Sequence, residues 1–280
     1  MLVAKPAGPT SHDVVDIVRR ALGEQRIGHL GTLDPFAKGL LVLVVGRATR
    51  LAGYTAEWPK TYEGVIRLGV TTDTDDLTGA VLATAPWTGI TPAQLAAVIE
   101  SFRGRYEQRP PAYSAVKIAG ERSYARARRG EAVEPAARGV DIRELEIVDA
   151  AVPDLQFRAT VSGGTYLRSL ARDIGAKLGC GAHLVALRRT GVGPLRLDDA
   201  VAPETVTPRD VRDGSILVAH LPRREVDGKE RDAVLHGRPI PSGQMAEGTR
   251  QMAIFAGDEL VAVAEQVGDV LKPRVVLTEG

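Results

Sequence analysis

The chain has 280 residues, 44% of them apolar and 25% charged. That excludes a disordered or fibrous chain and predicts one large globular domain, or one domain plus a small one. A formal net charge of +1 excludes a globally basic nucleic-acid binder, so a polyanion would be held by local patches, and a single cysteine excludes an intrachain disulfide. No apolar stretch reaches membrane-spanning length, and Met1 to Gly8 contains no signal-peptide apolar region, so the expectation is a cytoplasmic protein with no membrane association.

In chain order, residues 1–9 read as a short strand and a turn between Pro6 and Pro9. Thr10 to Asp13 is a capping-box pattern, and Val14, Ile17, Val18 and Leu22 give a helix that ends at Gly23. The apolar run Leu40–Val45, bounded by Gly39 and Gly46, predicts a strand buried on both faces. Residues 62–69 read as another strand and 71–79 as a polar, acidic loop. Thr91 and Pro92 start a second helix, with Leu95, Val98, Ile99 and Phe102 on its apolar face and Gly104 at its stop. Residues 105–139 read as an exposed, basic, partly helical excursion in which Arg122, Arg126, Arg128 and Arg129 surround Tyr124. Residues 156–161 alternate as a strand, Ser162 to Thr165 turn, and a helix runs over 166–178 with Gly179 as its cap. Residues 198–213 read as a boundary, and from about Leu217 short β-branched strands alternate with Gly- and Pro-bearing turns.

The residues with chemistry to offer are few. Asp34 stands between Gly31 and Pro35 on a loop that enters the buried strand. Glycines permit close backbone approach and Pro35 holds Asp34 extended, so an acid is displayed against the core; an isolated Asp-Pro is otherwise ordinary turn chemistry. Arg168 lies in the first turn of a helix, where its charge opposes the dipole. By charge alone it reads as a solvated side chain on the helix exterior. Tyr62 reads as a half-buried strand aromatic, and His29, beside glycines, reads as a structural hydrogen-bonder. Asp73, Asp75 and Asp76 lack the EF-hand spacing, and Cys180 with His183 is too small a set for zinc. With no P-loop, nucleophile elbow or dinucleotide fingerprint either, the reading is chemistry by side chains, with no cofactor and no metal.

Gly28-His-Leu-Gly-Thr-Leu-Asp-Pro35 with Gly39-Leu-Leu41 resembles the catalytic motif of the bacterial tRNA pseudouridine synthase B (TruB) family. The resemblance extends in order over roughly residues 3–215, and it implies Asp34 as the catalytic carboxylate. Ser162 to Arg168 resembles the second active-site motif, which implies that Arg168 pairs with Asp34 and that Tyr166 supports the pocket; Gly163 stands where that family usually has lysine, which leaves one phosphate contact open. The stretch 60–69 implies that Tyr62 stacks on the target base. Ala182 to Arg189 implies Leu187 as a pocket wall and Arg188 and Arg189 as RNA contacts, along with Arg126 of the basic excursion. His29 would hold the RNA loop once the base has left it. Lys5-Pro6 resembles the first motif, which implies Lys5 as a substrate contact, with Ala4 in place of the motif's acid and Pro9 in place of a common methionine.

The implied fold is α+β, a mixed and largely antiparallel sheet flanked by helices over residues 1–215, with residues 105–139 inserted beside the RNA. Residues 216–280 would form a small PUA-like RNA-binding domain. The implied reaction is isomerisation of uridine-55 in the T loop of tRNA by a monomeric enzyme that needs no protein partner. Two other readings stand beside it: a non-catalytic tRNA-binding protein, and a carboxylate hydrolase for which the 73–76 loop is the only source of a second acid.

Overall fold

The computed structural model describes the chain except residues 115, 119, 132, 244–249 and 278–280, and the backbone alone at 117, 118, 122, 125 and 128. The first block is β1 (Leu2–Lys5), α1 (Ser11–Leu22), β2 (Ile27–His29) and β3 (Lys38–Val45). It is followed by β4 (Lys60–Leu68), the hairpin β5 (Val70–Thr72) and β6 (Val81–Thr84), α2 (Pro92–Glu100) and β7 (Gly104–Gln108). Next come β8 (Lys117–Ile118), β9 (Glu121–Arg122) and the short helix α3 (Ser123–Arg128). The larger unit is completed by β10 (Arg138–Ala151), β11 (Asp154–Val161), α4 (Leu167–Leu178), β12 (Ala182–Val192) and β13 (Leu195–Arg196). The C-terminal unit holds β14 (Arg223–Glu225), α5 (Gly228–Leu235), β15 (Ile240–Pro241), β16 (Gln251–Ala256), β17 (Glu259–Val267) and β18 (Val270–Val276).

One nine-stranded sheet organises the larger unit, in the order β1-β3-β12-β4-β11-β10-β7, with β2 added to β3 and β13 to β12. Its pairings are antiparallel except β3 with β12. The sheet is therefore mixed and largely antiparallel, as expected. A second, five-stranded sheet, β14-β16-β17-β18-β15, forms the C-terminal unit.

The uninterrupted run of β3 has a simple cause. Leu41 and Leu43 face α1, in a cluster with Val3, Val14, Val15 and Val18, while Leu40, Val42 and Val44 join Leu51, Leu217 and Val218 on the other side. A strand covered on both faces has no reason to alternate. β4 and β11 do alternate. Tyr62, Ile66, Leu155, Phe157 and Ala159 face α4 and α2, whereas Glu63, Arg67 and Arg158 point away. α1 carries the expected capping box at Thr10 and a left-handed Gly23 at its end.

Three boundaries differ from expectation. The excursion is narrower than 105–139, because β7 and the start of β10 pair within the main sheet. Its basic character is also reduced: Arg126 pairs with Glu131, and Arg129 with Glu121 and Glu131, while the side chains of Arg122 and Arg128 lie outside the described residues. Residues 198–213 are short 3-10 turns packed on the core, where Val206 is buried and Val201 bridges to Val3. Leu217 and Val218, placed at the domain start by sequence, lie in a cluster that also contains Leu40 and Val42 of β3 and Ala253, Leu260 and Val263 of the C-terminal sheet. The two units share a core.

Candidate active site

The loop that carries Asp34 is fixed from several directions. The Ser11 hydroxyl, at the start of α1, donates to the carbonyl of Leu33 at 3.0 Å and accepts from its N–H at 2.8 Å. The Lys5 ammonium donates to the carbonyls of Ala37 at 2.7 Å, Pro6 at 2.9 Å and Pro35 at 3.3 Å. Lys5 is 1% exposed, and burial pushes its pKa down to about 8 against the upward pull of Asp34. It is placed as a brace beneath the loop, with no face toward open substrate. The ordinary turn bond is present as well, from Ala37 N–H to the Asp34 carbonyl at 3.1 Å.

Arg168 meets Asp34 from α4. Its Nε lies 2.8 Å from Asp34 Oδ2, an ion-pair contact without good hydrogen-bond alignment, and its Nη2 donates to Oδ1 at 3.4 Å. Nη1 and Nη2 donate to the carbonyls of Thr74 and Tyr113, each at 2.8 Å. The Arg168 side chain is 6% exposed while Asp34 keeps 34%, so a buried cation holds an acid that stays partly exposed. Protein atoms crowd the carboxyl, and this burial pushes its pKa above the ordinary range. Arg168 and Lys5 pull it back down, and Asp76 adds to the upward push.

Asp76 is the residue that the sequence reading passed over. Its Oδ2 stands 3.5 Å from Arg168 Nη1, with the side chain 5% exposed. Its Oδ1 accepts from the Thr78 hydroxyl at 2.6 Å, the Thr74 hydroxyl at 2.8 Å and the Thr78 N–H at 2.9 Å. The acidic loop is therefore a fastening for the arginine, with Asp75 paired to Arg172 at 2.9 Å. The available signal was the pair of threonines flanking the acid.

Tyr62 and Leu187 are both buried and belong to the cluster that includes Leu33, next to Asp34. They line one face of β4 and β12. Arg188 does not: it pairs across from Glu63, on the opposite face, with Nη1 3.8 Å from that carboxylate. The structure thus separates Arg188 from the Tyr62–Leu187 face, because the β pleat turns neighbouring residues to opposite faces. Arg189, also expected to reach RNA, is 0% exposed and reaches no surface at all. Tyr166 precedes α4; Gln108 holds both its N–H and its carbonyl, at 2.8 and 3.1 Å, and the Arg138 guanidinium lies 5.1 Å from the centre of its ring. His29 packs edge-on against His12 with ring centres 6.4 Å apart. Its buried Nδ1 has no partner, and burial, His12 and Arg189 all hold its pKa below the ordinary value. Arg126 lies in the excursion, with its Nε 2.7 Å from Glu131.

Gly163 has a steric explanation. A Cβ there would stand 2.3 Å from the carbonyl oxygen of Ala56, so no side chain fits without moving backbone. The Lys60 ammonium lies 3.7 Å from the same point.

Residues 19–167 match the N-terminal domain of the TruB family pseudouridylate synthases, and residues 168–221 match the C-terminal domain of tRNA pseudouridylate synthase B. The chain is 45% identical to the tRNA pseudouridine synthase B of Thermobifida fusca, over 99% of this chain and 97% of that protein. It is 46% identical to that of Nocardia farcinica, over 99% and 92%. Among solved structures, a Cbf5-Nop10-Gar1 complex contains a chain that superposes with a TM-score of 0.74 at 26% identity, covering 98% of this chain and 84% of that one. The chain belongs to the TruB family of pseudouridylate synthases.

Proposed function

We propose that this chain isomerises the T-loop uridine of tRNA, uridine-55, to pseudouridine, with Asp34 as the catalytic carboxylate. The observation that carries the assignment is the buried Arg168, which clamps Asp34 while Asp76 fastens the arginine from behind. A nucleophile must be ionised and aimed. Desolvation opposes ionisation at Asp34, and the guanidinium counters it. The reaction breaks the N1–C1′ bond, turns the uracil, joins C5 to C1′ and releases the C5 proton. Addition to C6, attack at C1′ and removal of the C2′ proton all draw on the same ionised carboxylate.

Tyr62 would stack on the uracil against the wall made with Leu187, a contact worth roughly 1–3 kcal/mol. That offsets part of the few kcal/mol needed to extrude the base. Tyr166 supports the same pocket, and His29 helps to hold the RNA loop once the base has left it. Residues 216–280 act as a PUA-like tRNA-binding unit, and the excursion with Arg126 contacts the T arm. The enzyme acts as a cytoplasmic monomer; its bacterial relatives carry the name of the synthase alone.

A T-arm stem-loop tritiated at uridine C5 tests this reading. Tritium release with one pseudouridine at the loop position is the expected result. Tight binding with no release would favour a binding protein, and release of free uracil would favour a hydrolase.

A further inference from the structure

Arg189 is the largest fully buried side chain of the molecule among the described residues. A buried guanidinium is costly unless its N–H groups are satisfied. Here all three of its hydrogen bonds go to backbone carbonyls and none to a carboxylate: Nε to Leu40 at 2.8 Å, Nη2 to Gly31 at 3.0 Å and Nη1 to Thr32 at 3.4 Å. Those carbonyls bracket Asp34, two before it and one after.

The backbone of Arg189 is as closely placed as its side chain. It lies opposite Gly39 in the parallel β3–β12 pairing and opposite Tyr62 in the β4–β12 ladder. Gly39 has φ +111°, and a Cβ on it would stand 2.3 Å from the Arg189 carbonyl oxygen. One residue therefore joins the strand that leaves the Asp34 loop, the strand that carries Leu187 and the strand that carries Tyr62. Lys5 and Ser11 hold the loop to β1 and α1, but neither links it to the Tyr62 wall. Being inaccessible, Arg189 touches no substrate.

We propose that Arg189 is a positioning residue: it sets the register between the Asp34 loop and the Tyr62–Leu187 wall and so acts on the chemical step through geometry alone. The proposal rests on Asp34 as the reacting carboxylate. A misplacement of about 1 Å can cost on the order of 100-fold in rate.

The test compares wild type, Arg189→Lys and Arg189→Met in single-turnover tritium release at saturating stem-loop, with stem-loop affinity and thermal midpoint measured on the same preparations. Amide hydrogen exchange over residues 28–39 supplies a readout independent of activity. The expected result for Arg189→Met is a rate lowered about 100-fold with affinity within about twofold, faster exchange confined to 28–39, and partial recovery in Arg189→Lys, which keeps a donor. A folded Arg189→Met with wild-type rate, weaker RNA binding at an unchanged rate, or a rate loss matched by the unfolded fraction in both variants would each overturn it. If Asp34→Asn keeps its turnover, the assignment of Asp34 fails instead; the exchange pattern then still decides whether Arg189 holds the loop.

Discussion

Arg168 occupies the first turn of α4, where the helix dipole disfavours a cation. Its two acid neighbours, Asp34 and Asp76, explain why it is there. Arg168 lowers the Asp34 pKa and Asp76 raises it, while burial sets the overall upward direction. The ionised nucleophile is therefore lost as pH falls through a value above the ordinary aspartate range. The single-turnover rate is expected to be flat at neutral pH and to drop on the acid side. In Arg168→Met the midpoint of that drop moves up and the rate falls by about 1,000-fold or more, since a fixed ion partner of the nucleophile is gone. In Asp76→Asn the midpoint moves down. A pH–rate profile of the three proteins checks all three directions.

Asp75 gives a stability prediction from the same loop. Burial pushes its carboxyl up from 3.8 to about 6, against Arg172. A raised acid pKa favours the protonated form in the fold, so wild type loses stability as pH rises from about 4 through about 6. Asp75→Asn removes that penalty. Asparagine also tolerates the left-handed backbone at this position, where φ is 59°. The variant is expected to exceed wild type by roughly 1–3 kcal/mol at pH 8 and to match it near pH 3, as read from urea unfolding at the two pH values.

At the scale of elements, local signals were legible and long-range ones were not. The capping box at Thr10, the doubly buried β3 and the turn into α4 follow from neighbouring residues. β12 was not legible: Ala182 to Val192 mixes His183, Arg188, Arg189 and Gly191, and it is a strand because β3 and β4 claim it on both sides. The same distance explains the misreading of Arg188 and Arg189. Their separation onto two faces, one paired with Glu63 and the other fully buried, is set by partners far along the chain. Asp34, Arg168, Tyr62 and Leu187 were legible through the motif resemblance, whereas Asp76 was hidden in an acidic cluster that spacing alone could only exclude as a calcium loop. Gly175 tests the packing of α4 on β12. Alanine there gains about 1 kcal/mol of helix propensity. Its Cβ, however, would lie 2.2 Å from the Ala182 nitrogen, and overpacking against backbone costs more than that gain. Gly175→Ala is expected to lower stability by roughly 1–3 kcal/mol in denaturant unfolding.

Over the whole molecule, the C-terminal sheet is not an appended module. Ala253, Leu260 and Val263, with Phe255 and Val275 packed beside them, close a cluster that includes Leu40, Val42 and Val44 of the strand leaving the Asp34 loop. Arg50 also donates to the Val276 carbonyl at 2.6 Å. Removing everything after residue 221 exposes that face of β3. The truncated chain is expected to lose cooperative thermal unfolding, whereas a module joined only by a linker would leave the midpoint of residues 1–221 unchanged.

The measurement that bears most directly on the account is the single-turnover rate of tritium release from the T-arm stem-loop by wild type and Asp34→Asn, with RNA affinity measured in parallel. The account expects wild type to release tritium, and Asp34→Asn to bind the RNA with unchanged affinity and release none. Turnover by Asp34→Asn within about tenfold of wild type, a difference of only 1.4 kcal/mol in barrier, would contradict it.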